Sequence, residues 1–206
     1  MLLKEGEADI ISKDVYVISR ESYDNRLSKK NISRFIEQCT VAGLFTHLSK
    51  EELDAATKNI AINPISSIES VLLQFPKTIV LFDWESGNLE NPYEELTMKF
   101  SLASRHAFIP TDITDTYSMG WKKSKKIKYG FTFNGKRYEA LLPFSSDWLE
   151  PAFLDMIRRA LKENNVDGDI YYCIDNGQES GYIFLTHDQR KFIQDNYPDL
   201  LKEEGK

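Results

Sequence analysis

Cysteine and histidine are scarce in this chain. Two cysteines, Cys39 and Cys173, and three histidines, His47, His106 and His187, are spread over 206 residues. The cysteines form no CxxC pair and sit far apart in apolar settings, so the expectation is free buried thiols in a reducing compartment, not a disulfide framework. The histidines show neither i, i+4 nor HxH spacing, and a zinc site would need long-range partners. No apolar run approaches the roughly 18 residues that mark a membrane-spanning helix. The opening MLLKEGEADIIS carries acids where a secretory signal has its apolar stretch. These absences predict a cytoplasmic protein with no membrane span. Also missing are the glycine-rich phosphate loop with its GK[ST] ending, GxGxxG, HExxH and GxSxG. A binding role therefore ranks above an enzymatic one, and the sequence calls for no cofactor and no metal.

What is present suffices for a substantial core. Residues counted as hydrophobic make up 41% of the chain, and 12 Phe, 10 Tyr and 3 Trp supply large side chains. A chain of this length can bury most of its apolar surface without staples. The expectation is a single α+β domain: an antiparallel sheet of four to six strands with packed helices, in two loosely similar halves, 1–118 and 119–206. The formal charge of −6 hides an asymmetry. Trp121 to Arg137 holds seven Lys and Arg and no acid, and the other 19 bases face all 32 acids. An acidic body with one basic strip disfavours general coating of nucleic acid.

Periodicity and turn chemistry divide the chain into elements. Asp14 to Ser19 reads as a strand. Asn31 or Ser33 caps a helix through Phe35, Ile36, Cys39 and Val41, ending near Gly43. Ser49 with Glu52 has capping-box spacing and opens a helix to about Ile60. Ser66 or Ser67 caps a short helix through Ile68, Val71, Leu72 and Phe75. Thr78 to Trp84 is a near-continuous β-branched and aromatic run that suits a strand buried on both faces. Leu96, Met98, Phe100 and Leu102 alternate with Thr97, Lys99 and Ser101, which favours a strand over the helix that Asn91-Pro92 would start. Asn134-Gly135 is the preferred type I′ pair, so Ile127 to Leu142 forms a hairpin with Phe133 opposite Lys136. That register puts Ile127, Tyr129, Phe131, Tyr138, Ala140 and Leu142 on one face. Ser145 to Asp147 offers caps for the next helix; strands at Asp169–Asp175 and Tyr182–Thr186 and a helix capped by Thr186 complete the chain.

Four groups of residues are chemical candidates. Cys173 with His187 and Asp188 makes a conceivable thiol site, although Cys173 among Ile170, Tyr171, Tyr172 and Ile174 reads as a small core hydrophobe. Asp83, Glu85, Asp112 and Asp115 would hold magnesium only if the fold gathered them. Lys122, Lys123, Lys125 and Lys126 form the part of the basic strip that would bind nucleic acid. The hairpin register sends the aromatic residues to the opposite face from Lys128 and Arg137. The segment Asp83 to Glu95 contains five acids, no base, and Trp84, Leu89 and Tyr93. Trp and Tyr dominate interface hot spots, and complementary charge speeds association. Asp83, Trp84, Glu85, Glu90 and Tyr93 are accordingly the expected contacts with the basic surface of a partner protein, as in a bacterial immunity-type or inhibitor protein. A nucleic-acid-associated protein and an enzyme assembled from distant residues are the alternatives.

Overall fold

The structure, a computed structural model, describes residues 28–63, 65, 67–117 and 125–203. Its order is α1 (Lys29–Val41), α2 (Lys50–Ile62), α3 (Ile68–Leu72), β1 (Ile79–Asp83), α4 (Pro92–Ala103), β2 (Thr111–Tyr117), β3 (Lys126–Phe133), β4 (Lys136–Pro143), α5 (Ala152–Glu163), β5 (Asp169–Asn176), β6 (Glu179–Leu185) and α6 (His187–Asn196). The expected strand at Asp14 to Ser19 lies outside the described residues. The fold is α+β, but the six strands among the described residues form two antiparallel sheets of three, β1-β6-β5 and β2-β3-β4, rather than one larger sheet. Each sheet takes one strand from before residue 118 and two from after it.

Two apolar cores flank the first sheet. On one side Cys173, Ile183 and Leu185 pack with α1, α2, α3 and α6. On the other, Val80, Phe82, Ile170, Tyr182 and Phe184 pack against Tyr93, Leu96 and Phe100 of α4 and Phe153 and Ile157 of α5. The same core is closed by Ile127, Tyr129, Phe131, Tyr138 and Leu142 of the second sheet. The hairpin has the register that its turn demands: Phe133 opposite Lys136, Phe131 opposite Tyr138, Tyr129 opposite Ala140 and Ile127 opposite Leu142. Asn134 and Gly135 both take positive φ, 48° and 76°, as a type I′ turn requires. Across β3, Gly130 leaves room for the Arg137 guanidinium; a Cβ there would come within 2.9 Å of it and 2.6 Å of the Tyr138 carbonyl oxygen. Arg137 thereby reaches β2, donating to the Asp112 carbonyl and the Thr114 hydroxyl at 2.6 and 2.7 Å.

Several local expectations are corrected. Residues 92–103 are helical, not extended. Only Leu96 and Phe100 of the alternating set are buried, four residues apart, while Met98 and Leu102 face outward; tertiary packing selects the helical period. The run from Thr78 makes an edge strand that alternates, with Leu81 exposed, whereas the two-sided central strand is β6, where six of seven residues are buried. Ser28, not Asn31 or Ser33, caps α1, its hydroxyl accepting from the Asn31 amide. No side chain from Ser145 to Asp147 caps α5, which starts directly after Pro151; Ser145 instead bridges to Trp148. The Ser49–Glu52 capping box, the Ser67 cap on α3 and the Thr186 cap on α6 are all present.

The start of α4 is capped from a distance. Asn91 makes no side-chain cap; the Asp115 carboxylate on β2 accepts from the amides of Tyr93 and Glu94 at 2.7 and 3.2 Å. Asp115 is 5% exposed, and burial raises its carboxyl pKa above the ordinary aspartate value against the pull of those two amides. Its folded pKa thus exceeds the unfolded one, so the native state binds the extra proton. Stability from this group is present at low pH and is lost as pH rises through the folded value. Asp115→Ala strands two helix-terminal amides and is expected to lower stability by roughly 1–3 kcal/mol in urea unfolding. Asp115→Asn keeps an acceptor without the charge, so its stability relative to wild type should improve as pH rises from below the ordinary aspartate value through the raised one. A trend in the opposite direction would mean that the amides outweigh burial.

Candidate functional site

The acidic segment does not act as one surface; the fold divides it. Asp83 ends β1, and its carboxylate accepts from the Glu85 amide at 2.8 Å, starting a single 3-10 turn over Trp84–Ser86. The Ser86 hydroxyl returns to the Asp83 carbonyl at 2.6 Å. This turn is held on two sides. The Trp84 amide donates to the Gln178 carbonyl in the β5–β6 turn, and the Leu149 amide donates to the Trp84 carbonyl at 2.8 Å. The Gly87 amide donates to the Asp147 carbonyl. Gly87 is required at this approach, because a Cβ would lie 2.6 Å from the Trp148 carbonyl oxygen.

Of the five expected contact residues, Asp83 and Glu90 are exposed and Glu85 is half-buried on the turn. Trp84 is half-buried, packed edge-on to Phe82 and Phe153, with its indole N–H donating to the Ser180 hydroxyl at 2.8 Å. Tyr93 lies in the core at 1% exposure. Its ring meets Tyr129 and Phe153 and its hydroxyl accepts from the Glu150 amide, so it offers a partner nothing. The tyrosine is drawn inward because residue 93 faces the sheets from the first turn of α4. Sequence reasoning missed Trp148, which is 46% exposed, beside the turn; Leu89, in the loop just after the turn, is 55% exposed. A tryptophan within a loop that follows a proline-ended strand was the available signal.

Trp84 also belongs to a pocket of about 360 Å³ between the β5–β6 hairpin and the start of α5. Tyr172 and Tyr182 supply aromatic wall, and Asp155, Asp175 and Glu203 bring three carboxylates. Arg158 is the one base among the described residues lining it. Its guanidinium donates to the Ile170 carbonyl at 3.2 Å and lies 5.9 Å from the centroid of the Tyr182 ring. None of these residues except Trp84 was distinguishable in the sequence, because strands β5 and β6, helix α5 and the C-terminal residues meet only in the fold. The Lys202 amide donates to the Tyr172 carbonyl at 2.8 Å, which brings Glu203 to the rim.

The other candidates separate. Cys173 is fully buried and its thiol donates to the Gly181 carbonyl at 3.3 Å. Desolvation pushes that thiol far above its ordinary value and the Cys39 thiol up to about 12. His187 pairs with Asp167 at 2.6 Å on the surface, and Asp188 occupies the first turn of α6, where an acid suits the positive helix end. Asp115 caps α4, Asp112 sits exposed at the irregular start of β2, and Asp83 and Glu85 belong to the turn. Among the described residues no three His, Cys, Asp or Glu are grouped to hold a metal ion. Lys125 and Lys126 are exposed, while Lys122 and Lys123 lie outside the described residues. Tyr129, Phe131 and Tyr138 are buried and cannot stack on bases. Among the described residues no helix is long and apolar enough to cross a membrane.

Comparison with protein-family models, curated proteins and solved structures finds no match to this chain. The two thiols give a direct check on the geometry. Alkylation at mildly alkaline pH is expected to leave both cysteines unmodified in the folded chain and to modify both after denaturation. Rapid alkylation of Cys173 in the native state, read by mass spectrometry, would reopen a thiol chemistry.

Proposed function

We propose that this protein is a non-enzymatic binding module of the cytoplasm, of the immunity or inhibitor type, that covers a basic surface on another protein. The supporting observation is the acidic 3-10 turn after β1, which backbone hydrogen bonds fasten to the loops at 147–149 and 178. A surface ordered in advance loses little entropy on binding. Asp83, Glu85 and Glu90 supply its charge, and Leu89 and Trp148 supply exposed apolar area next to it. Carboxylates around an exposed tryptophan suit a partner that presents lysine and arginine around an apolar centre. The nucleic-acid alternative has weaker support. The aromatic side chains of the basic hairpin are committed to the core, Arg137 to β2, and Lys136 to Glu163 at 2.6 Å.

Glu85→Lys with Glu90→Lys, alone and with Trp148→Ala, tests this reading. These positions lie on the turn and its border, so thermal unfolding is expected to change little. Trp84→Ala is unsuitable, since it removes core contacts and leaves Ser180 without its partner. In affinity capture from the native cell, the recovered partner should carry a basic surface. Its affinity for the charge-reversed chain should fall by about tenfold or more, mostly through a slower, less salt-sensitive association rate. Capture that is indifferent to all three substitutions would remove the turn from the interface.

A further inference from the structure

The pocket beside Trp84 has a chemistry narrower than a generally acidic surface. We propose that it receives one arginine side chain of the partner, the guanidinium lying along the rings of Trp84 and Tyr172 and pairing with the carboxylates of Asp155 and Asp175. The assignment rests on the protein-binding reading above and specifies which residue type enters.

Size comes first. At about 360 Å³ the pocket falls at the small end of the range for ligand sites, roughly 300–1,000 Å³, a scale that suits one side chain. Its walls then restrict the chemistry. The Trp84 indole N–H is spent on Ser180, so what Trp84 offers an occupant is ring surface. Tyr182, 3% exposed, is stacked on Phe82 at 5.6 Å, and Tyr172 leans on it at 5.3 Å; the aromatic wall is braced from behind. Stacked π faces with carboxylates at their edge attract a cation. Arg158 shows the contact in miniature, its guanidinium 5.9 Å from the Tyr182 ring. That one base, engaged with the Ile170 carbonyl, faces Asp155, Asp175 and Glu203, so the charge of the lining remains negative and an anion is disfavoured.

Arginine fits better than lysine. Its guanidinium is planar, weakly hydrated, stacks on rings and presents paired donors that match a carboxylate, whereas an ammonium ion surrenders its hydration less readily. Position adds to this: the backbone of Trp84 is part of the clamped acidic turn, so a side chain in the pocket and a basic surface over the turn can be engaged by one partner.

The test uses the full chain, labelled with nitrogen-15, and three small probes: N-acetyl-arginine methylamide, N-acetyl-lysine methylamide and N-acetyl-norleucine methylamide. The arginine probe should move the Trp84 indole resonance saturably and at least about fivefold more tightly than the lysine probe, with no saturable shift from norleucine. Asp155→Asn with Asp175→Asn, both exposed positions, should weaken arginine binding about tenfold while the unfolding midpoint stays in place. No saturable shift at Trp84, equal affinity for lysine and arginine, or binding untouched by the double substitution would each overturn the arginine site. Partner capture reports separately: a captured partner lost on reversal of Glu85 and Glu90, together with a silent Trp84 resonance, refutes the arginine site and leaves the protein-binding reading standing. Specific arginine binding with no partner captured does the reverse.

Discussion

One pair of helices has to satisfy two sheets at once, and most of the molecule follows from that constraint. α4 and α5 bring Tyr93, Leu96, Phe100, Phe153 and Ile157 into a single aromatic core closed by β1, β5 and β6 on one side and β3 and β4 on the other. Phe153 is the centre of this packing, with ring contacts to Phe82, Trp84, Tyr93, Phe100 and Tyr129. Polar groups caught in such a core must find partners there. The Tyr129 hydroxyl meets the Thr97 hydroxyl at 2.6 Å. Because Thr97 spends its own proton on the Tyr93 carbonyl, Tyr129 is the donor. Asp115 completes the arrangement by fastening the start of α4 to the second sheet.

The same packing shapes the candidate site. Trp84 is half inside the aromatic core and half at the edge of a pocket, so the ring that anchors the turn also forms pocket wall. The turn itself carries its charge on short side-chain excursions from a backbone fastened to two loops. The proposed binding role would use these acids, next to Leu89 and Trp148, on a frame already ordered, so that little chain ordering would accompany association. Where the end of α4 meets β6 and α6, polar groups are used differently. Arg105 sits over the Phe184 ring at 5.4 Å and donates to the Phe184 carbonyl and to Gln189, while Gln189 caps α6 and donates to the Ala42 carbonyl. Burial lowers the guanidinium pKa to about 10, and these contacts tie the end of α4 to β6 and α6.

Legibility in the sequence followed the range of the interactions involved. Asn134-Gly135 dictated both turn and register of the hairpin because positive φ at two adjacent residues is a local demand. Ser49, Ser67 and Thr186 were readable as caps for the same reason: each bonds an amide three residues ahead. The misreadings involve distant partners. Residues 92–103 carry two periods at once, and only the sheets on either side chose the helical one. Asp115 gave no sign of capping a helix, because the amides it accepts from lie more than 20 residues earlier in the chain.

The chain alone determined its α+β class, the caps of α2, α3 and α6, its hairpin and the partition of acids from lysines, since these depend on neighbours within a few residues and on composition. Only the tertiary structure decided that the strands split into two sheets, that Tyr93 turns inward while Trp148 stays out, and that Trp84, Tyr172, Asp155 and Asp175 share one pocket. Those outcomes depend on which apolar faces cover one another, a competition among segments far apart in sequence that no local pattern records.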